Sequence, residues 1–261
     1  RHRLGQHFLT DLRVLERQLR YAELQPTDTV LEIGPGLGAL TQRLREHVMK
    51  VIAVELDPGM LEELRRRGLE DEKTQLVQAD AARLDYSQLG PFNKVVANLP
   101  YSASSPITFQ LLLTKFELAV LMYQLEFAQR LVADQTSKNY GRLSAARAYF
   151  AEAKILERVP RGAFSPPPDV SSALVLLRPH AKPPFLVGSP ESFLEFLRVV
   201  FSTRRKTLRS TLKKQHAELG HTPAHVETVL ANLGVGERRP EEMTPAELGA
   251  VDHALSQVPH G

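Results

Sequence analysis

Residues 29–33, TVLEI, are a β-branched and apolar run, the pattern of a buried strand. GPGLGALTQRLREH follows as a glycine turn and a helix, and KVIAVELD predicts a second strand. PGMLEELRRRG opens on proline, which suits a first helical turn, and stops near Gly68. TQLVQAD predicts a third strand, FNKVVANLP a fourth, SPITFQLLLTKF a helix, ELAVLMYQ a fifth strand and LEFAQRLVAD a helix. Strands alternating with helices imply a parallel sheet covered on both faces. AEAKILERV and SSALVLLRP alternate with no helix between them, which predicts an antiparallel pair at the sheet edge. Near residue 180 the pattern changes. PHAKPPFLVGSP reads as a linker, and beyond it apolar positions recur at helical spacing: Phe193, Phe196, Leu197, Val200; Leu208, Leu212; Val226, Val229, Leu230; Leu248, Val251, Leu255. The expected fold is α/β over 1–182, a mostly parallel sheet with an antiparallel edge, followed by a small all-α domain of three or four helices over 183–261.

Composition narrows the class. A length of 261 residues suits one large domain, or a large one and a small one. A hydrophobic content of 43% with 24% charged residues is that of an ordinary soluble globular chain. No apolar run is long enough to span a bilayer, and RHRLGQHFLTDLR lacks the apolar stretch of a signal peptide. Cysteine is absent, which removes disulfides, thiolate zinc sites and a cysteine nucleophile. A cytoplasmic monomer with no membrane partner is expected. The net charge of +3 is too small to argue for a polyanionic partner, so the placement of charge matters more. Arg204, Arg205, Lys206, Arg209, Lys213 and Lys214 cluster on one predicted helix running from about 203 to 214, where they suit phosphate neutralisation; a solvated face is the plain alternative. Arg65, Arg66 and Arg67 read as a helix end complementing its dipole. His221 and His225 have i, i+4 spacing, but no third ligand stands in register, and no metal is expected.

LEIGPGLGAL places Gly34, Gly36 and Gly38 between a strand and a helix. Such a turn lets backbone approach a ligand, with helix N–H groups facing it. Gly34, Gly36 and Ala39 satisfy the G-x-G-x-x-G/A pattern, and Glu55 ends the next strand about 20 residues on, where an acid binds ribose hydroxyls. The loop alone does not separate a nicotinamide dinucleotide from another adenosine cofactor. Glu32, inside the strand before the loop, can orient the loop and hold a cationic amino group through water; a pyrophosphate is poorly served by that charge. Asp80 ends the third strand, within reach of an adenine edge, with Ala81 beside it.

The fourth strand ends in Asn98, Leu99, Pro100 and Tyr101, an unusual succession for a turn. Ligands of open α/β sheets bind outside the carboxyl ends of the strands, so Gly34, Glu55, Asp80 and Asn98 share one rim. A planar amino group is a weak nucleophile because its lone pair is delocalised into the ring. Acceptors aimed at its protons favour the nucleophilic geometry. Asn98 offers a side-chain carbonyl, proline lacks an N–H so Leu99 offers a backbone carbonyl, and Tyr101 offers a flat face. A helix-entry loop capped by Ser104 or Ser105 is the structural alternative.

The loop and the acids resemble class I S-adenosylmethionine-dependent methyltransferases. The whole chain is similar to the ribosomal RNA adenine dimethylase family, in particular its small-subunit branch. The resemblance rests on GQHFL at 5–9, LEIGPGLGALT at 31–41, VELD at 54–57, QAD at 78–80, NLPY at 98–101, FSPPPDVSSALV at 164–175 and FSTRRKTLRSTL at 201–212. It implies that Gln6, His7 and Leu9 border the cofactor's methionine part, and that Gly34 contacts it through backbone within the turn shared with Gly36 and Gly38. It also implies that Glu55 binds the ribose, Leu56 packs on adenine and Asp80 faces the adenine amino group. Asn98 then lies where cofactor and target meet, and Tyr101 and Phe164 sandwich the target adenine. His7 stands where many bacterial members have asparagine. The implied reaction puts two methyls on each of two adjacent adenines near the 3′ end of small-subunit rRNA, leaving S-adenosylhomocysteine, with the ribosomal precursor as partner. A large-subunit rRNA dimethylase, a nicotinamide oxidoreductase and a non-catalytic assembly or transcription factor on the same fold are the competing readings.

Overall fold

A computed structural model describes residues 7–203 and 205–257. They form two compact units, 7–128 with 153–179 and 129–152 with the residues after 179.

The first unit is built on a sheet. A two-residue strand, β1 (Phe8–Leu9), leads into helix α1 (Leu12–Tyr21), which Asp11 caps by accepting from Arg13 N–H. Strands β2 (Thr29–Ile33), β3 (Lys50–Glu55), β4 (Thr74–Gln78), β5 (Lys94–Asn98) and β6 (Leu118–Gln124) alternate with α2 (Ala39–His47), α3 (Pro58–Arg66) and α4 (Ser104–Leu112). Helix α5 (Leu125–Val132) follows β6, and α6 (Arg142–Phe150) leads into β7 (Ala151–Val159), the two-residue β8 (Phe164–Ser165) and β9 (Ser172–Pro179). The strand order is β4-β3-β2-β5-β6-β9-β7; β2 to β6 are mutually parallel and β9 runs antiparallel to β6. The two edge runs expected from their alternation are β7 and β9, and they are neighbours. One face of the sheet, with Val30, Val51, Leu76, Val96, Val120 and Leu174, packs on α1, α2 and α3 through Val14, Leu15, Leu40, Leu44, Leu61 and Leu64. On the other face the buried Tyr123 stacks on Phe127 of α5 and shares a 2.8 Å hydrogen bond with Thr108 of α4. Full burial of each large apolar side chain contributes about 1.5–3 kcal/mol.

At the end of the sheet where strands begin, Asp28 and Lys94 form a buried ion pair, Nζ to Oδ2 3.0 Å. Gln25 N–H and Asn93 Nδ2 donate to the same carboxylate at 2.7 Å each. This fully bonded pair ties the start of β5 to the turn before β2.

The second unit is helical. Helices α7 (Pro190–Val200), α8 (Leu208–Gln215), α9 (Pro223–Leu233) and α10 (Pro245–Ser256) follow the linker. Each opens on a side-chain cap (Ser189, Thr207, Thr222 and Thr244) whose oxygen accepts a backbone N–H three residues on. The expected boundary at 182 lies near the return of the chain from the sheet, but residues 129–152 also belong to this unit. The reason is aromatic packing. Tyr149 on α6 lies 5.4 Å from Phe185 and 5.5 Å from Phe193, ring centre to ring centre. The expected helix over 203–214 is shorter. A 3₁₀ turn covers Phe201–Thr203, and α8 begins only after Thr207. Among the described residues no helix is long and apolar enough to cross a membrane.

Candidate active site at the strand rim

Strand β2 pairs with β3 on one side and β5 on the other, and the chain leaves in opposite directions from β3 and β5. Ligands of open α/β sheets lie at such a switch point. Here the β2–β5 ladder ends at Leu31 and Val95, short of both strand ends.

The turn after β2 holds Gly34, Gly36 and Gly38 at φ +69°, +54° and +83°. That region is accessible to glycine at little cost. Space adds a second reason at two of them. A Cβ on Gly36 would stand 2.9 Å from the Phe8 ring, and one on Gly38 would collide with Leu69 and approach Leu64 to 2.8 Å. Gly38 therefore serves the packing of α2, while Gly36 admits the N-terminal strand over the loop.

Glu55 binds this loop directly. Its Oε1 accepts from Leu56 N–H at 2.9 Å and Asp57 N–H at 3.0 Å, and its Oε2 faces Gly36 N–H at 3.4 Å. Leu56 beside it is 63% exposed, an apolar face open to a flat ligand. Glu32 is buried beneath the loop next to Thr41 of α2. Burial pushes its carboxyl up to about 8, with Thr41 opposing and the Glu55 charge adding to the rise. Glu32 Oε2 has no hydrogen-bond partner. At the end of β4, Asp80 Oδ1 accepts from Ala82 N–H at 2.9 Å, and Oδ2 lies 3.8 Å from Arg83. Ala81 is buried, and its carbonyl accepts from Tyr86.

At the end of β5, Asn98 Oδ1 is sealed from solvent and has no partner. Leu99 is buried. The Pro100 carbonyl accepts from Ala103 N–H and from Ser104 Oγ at 3.2 Å, so Ser104 braces the loop and does not cap the helix. Tyr101 is anchored at its hydroxyl, 2.5 Å from the buried Ser172 Oγ. Burial raises the Tyr101 phenol above its ordinary range, with the Ser172 hydrogen bond opposing.

The N-terminal motif and the proline-rich signature meet as a ladder: Phe8 pairs with Ser165 and Leu9 with Phe164. His7 Nδ1 lies 2.9 Å from the Pro166 carbonyl, and the His7 ring faces Tyr101 at 6.0 Å and 29°. Leu9 and Phe164 are both in the core, 7% and 5% exposed. Gln6 lies outside the described residues. Phe8, Thr41, Pro166 and Ser172 are site-building residues that sequence reasoning did not single out. Ser172 lies within the FSPPPDVSSALV motif, but its partner 71 residues away was not legible.

In the second unit Arg205, Lys206, Lys213 and Lys214 are exposed. Arg205 and Lys206 lie before α8 and not on it. Arg209 is committed elsewhere: it pairs with Glu227 at 3.3 Å and Glu237 at 3.4 Å and packs over Gly236. Arg204 lies outside the described residues. The Arg65–Arg67 run pairs with Glu70 and Glu63, and Arg67 also donates to the Leu37 carbonyl. His225 Nε2 is engaged by the Leu255 carbonyl at 3.0 Å.

Two unpartnered buried acceptors, an acid bonded to the glycine loop and an open apolar face beside it fit an adenosine cofactor that carries an amino group. Sheet order, glycine loop and strand-end acids define a class I methyltransferase fold. A dimethyladenosine transferase from Plasmodium falciparum shares it at TM-score 0.75 and 28% identity, over 94% of this chain and 96% of that one. The 23S rRNA methyltransferase ErmE shares it at TM-score 0.65 and 28% identity, over 96% and 100%. The profile of the ribosomal RNA adenine dimethylase family matches residues 1–246, and the chain belongs to that family. A probable ribosomal RNA small subunit methyltransferase A of Methanosarcina acetivorans is 46% identical over 96% of this chain and 91% of that protein. Its counterpart in Thermococcus onnurineus is 41% identical over 97% and 91%.

Proposed function

We propose that the chain transfers methyl groups from S-adenosylmethionine to N6 of two adjacent adenines near the 3′ end of small-subunit rRNA, giving N6,N6-dimethyladenosines during small-subunit biogenesis. The observation that carries this reading is the sealed, unpartnered Asn98 Oδ1 at the end of β5, two residues before Pro100. A buried acceptor without a donor costs about 1–3 kcal/mol, which a ligand amine recovers. Bound cofactor supplies an electrophilic methyl on a sulfonium. The residues do the rest. Glu55 holds the ribose and the glycine loop, Leu56 covers the cofactor's adenine, and Asp80 meets its amino edge. Glu32 faces the cofactor's ammonium end. His7 and Leu9, with Gly34, border the methionine part. Asn98 Oδ1 and the Leu99 carbonyl accept from the target N6 protons, and the target ring, extruded from the RNA, stacks on Tyr101 with Phe164 behind it. Arg205, Lys206 and Lys213 contact phosphates, positioning the RNA without reading its bases. The chain acts as a cytoplasmic monomer, with catalysis in the unit of 7–128 and 153–179 and rRNA binding in the helical unit of 129–152 and the residues after 179.

Methyl transfer from labelled cofactor to unmethylated small subunits, with the modified nucleoside identified, tests the reading. Dimethyladenosine in small-subunit rRNA is expected. Asn98→Ala should lower turnover by roughly 10²–10³ while keeping the fold and cofactor affinity. Label appearing only in large subunits would establish the competing target, the one named for the structural neighbour at 28% identity. Near wild-type turnover in Asn98→Ala would remove the amine clamp.

A further inference from the structure

We propose that Thr108 is a positioning residue for methyl transfer: with Tyr123 and Ser104 it forms a buried hydroxyl relay that fixes the Asn98–Tyr101 loop from behind. This rests on the reading of that loop as the clamp for the target amine. The relay runs from the sheet to the loop. The Thr108 hydroxyl lies 2.8 Å from the Tyr123 hydroxyl and donates to the Ser104 carbonyl at 2.6 Å. The Ser104 hydroxyl in turn donates to the Pro100 carbonyl at 3.2 Å. A carbonyl only accepts, and a threonine hydroxyl has one proton. Thr108 therefore gives its proton to Ser104, and Tyr123 is the donor to Thr108. All three side chains are out of reach of solvent, with Thr108 and Tyr123 fully buried.

Two features of the fold say what the relay acts on. The first is the start of α4. Ala103 precedes it and offers no side-chain cap, so the first turn of this helix lacks the usual restraint on its free N–H groups. That turn nevertheless carries the loop, because the Pro100 carbonyl accepts from both Ala103 N–H and Ser104 Oγ. A threonine bonded back to the carbonyl four residues earlier does little for its own helix and slightly destabilises it. Its benefit lies in linking that first turn to β6. The second feature is register. Asn98 pairs with Met122 in the β5–β6 ladder, and Tyr123 is the next residue of β6. Adjacent residues of one strand thus hold both ends of the clamp: Met122 fixes Asn98 through the backbone, and Tyr123 fixes the Pro100 carbonyl through the relay. The Leu99 carbonyl, the second acceptor of the clamp, lies between these two anchors.

The test uses the full chain with labelled S-adenosylmethionine and unmethylated small subunits, with calorimetry of S-adenosylhomocysteine and urea melts in parallel. Thr108→Val keeps the branching and removes the hydroxyl. It should lower kcat about tenfold per folded molecule, less than the roughly 100-fold loss of a 1 Å misplacement. KM for the particles and affinity for S-adenosylhomocysteine should stay within about twofold of the parent. Thr108→Ser keeps the hydroxyl and should retain most of the turnover. Ser104→Ala breaks the last bond of the relay and should match Thr108→Val. The double variant should fall at most about twofold below either single one, since one chain of bonds is broken in all three. If Thr108→Val does not fold, Ser104→Ala and Tyr123→Phe, which removes only the first donor, carry the comparison. Parent-like kcat in both relay variants, with only the urea midpoint lowered, means that the hydroxyls serve the core alone and overturns the inference. An equal loss in Thr108→Ser overturns it by assigning the effect to the methyl group. A fall in S-adenosylhomocysteine affinity as large as the fall in kcat overturns it by placing the effect on the cofactor side of the rim. An Asn98→Ala arm separates the levels. Near-parent turnover there removes the amine clamp itself, whereas a loss there with none in Thr108→Val removes the relay alone.

Discussion

Glu55 gives the most direct measure of whether the rim is a cofactor site. Its carboxylate accepts two backbone N–H groups at 2.9 and 3.0 Å and faces a third, on the glycine loop, at 3.4 Å. In Glu55→Ala the N–H groups of Leu56 and Asp57 remain near solvent, since Leu56 is 63% exposed, and water replaces the lost acceptor. The cost in stability should therefore be small, about 1 kcal/mol. The cost in binding should be larger, because charged hydrogen bonds to ribose hydroxyls are worth about 1.5–3 kcal/mol, or roughly 10- to 150-fold in Kd. Glu55→Gln sharpens the argument. It keeps the shape, but its NH₂ group must face either the Gly36 N–H or the pair at 56 and 57, donor against donor. It should lose nearly as much affinity as alanine. The assay is calorimetric titration of S-adenosylhomocysteine, with thermal unfolding alongside. Parent-like affinity in both variants, or binding of NAD by the parent as tight as that of S-adenosylhomocysteine, would refute the assignment.

Glu32, pushed up to about 8 by burial, is largely protonated at pH 7, and a ligand ammonium favours its anion. Titration of S-adenosylhomocysteine in buffers of different ionisation enthalpy should show proton release near pH 7 and tighter binding toward pH 8.5; no release would remove Glu32 from the site. Without ligand the same raised carboxyl adds stability that is complete below its ordinary value of 4.5 and lost as pH rises through about 8, so Glu32→Gln should flatten that slope in urea melts. Burial raises the Asp28 carboxyl, but hydrogen bonds from Asn93, Gln25 N–H and Lys94 outweigh it and hold it below the ordinary range. That stability is present above the unfolded value and is lost as pH falls through the folded one, and Lys94→Met should cost about 3–5 kcal/mol by leaving a buried charge unpaired. Charge reversal at Arg205 and Lys206 should raise KM for ribosomal particles and lower the salt slope by roughly one unit per lost phosphate contact. Arg209→Ala should leave the slope unchanged and cost at most about 1 kcal/mol, since its guanidinium already serves Glu227 and Glu237 at a half-exposed site.

What the sequence disclosed and what it withheld divide along one physical line. Strands β2, β3, β5 and β6 were legible because each is a short run rich in β-branched and apolar residues bounded by turn residues, and a parallel strand buried on both faces can be little else; the edge strand β4, TQLVQ, shows instead the alternation of one buried face. The rim followed from them, since the carboxyl ends of parallel strands share one edge of the sheet. Helix α6 was not legible: its buried positions include Ser144, Ala145 and Ala146, small residues that leave no apolar period. Helix α1 carries its own signal, Asp11 as cap followed by Val14, Leu15 and Leu19 at helical spacing. The basic run at 204–214 looked like one helical face because the pattern of charges carries no information about where Thr207 caps. Nor could it show that Arg209 spends its charge within the unit.

The site divides in the same way. Candidate residues at strand ends can be read from the chain alone, because a carboxylate or amide on that rim offers acceptors whatever surrounds it. Tyr101 cannot. A tyrosine on a loop is a free rotor until something fixes its hydroxyl, and the residue that fixes it, Ser172, begins a strand 71 residues on. The same holds for the N-terminal motif, which becomes part of the rim only by pairing with Phe164 and Ser165. These two long-range contacts use one segment. The proline-rich stretch from 164 to 172 supplies the β8 partner of β1, the carbonyl that orients His7 and the hydroxyl that orients Tyr101. That stretch therefore fixes both β1 and the Tyr101 ring, and under the proposed function it frames the site of the target base. Ser172→Ala should lower kcat/KM for the particles while sparing cofactor affinity, because it frees the Tyr101 ring without touching the glycine loop. A fall in cofactor affinity with normal particle kinetics would instead place Ser172 on the cofactor side of the rim.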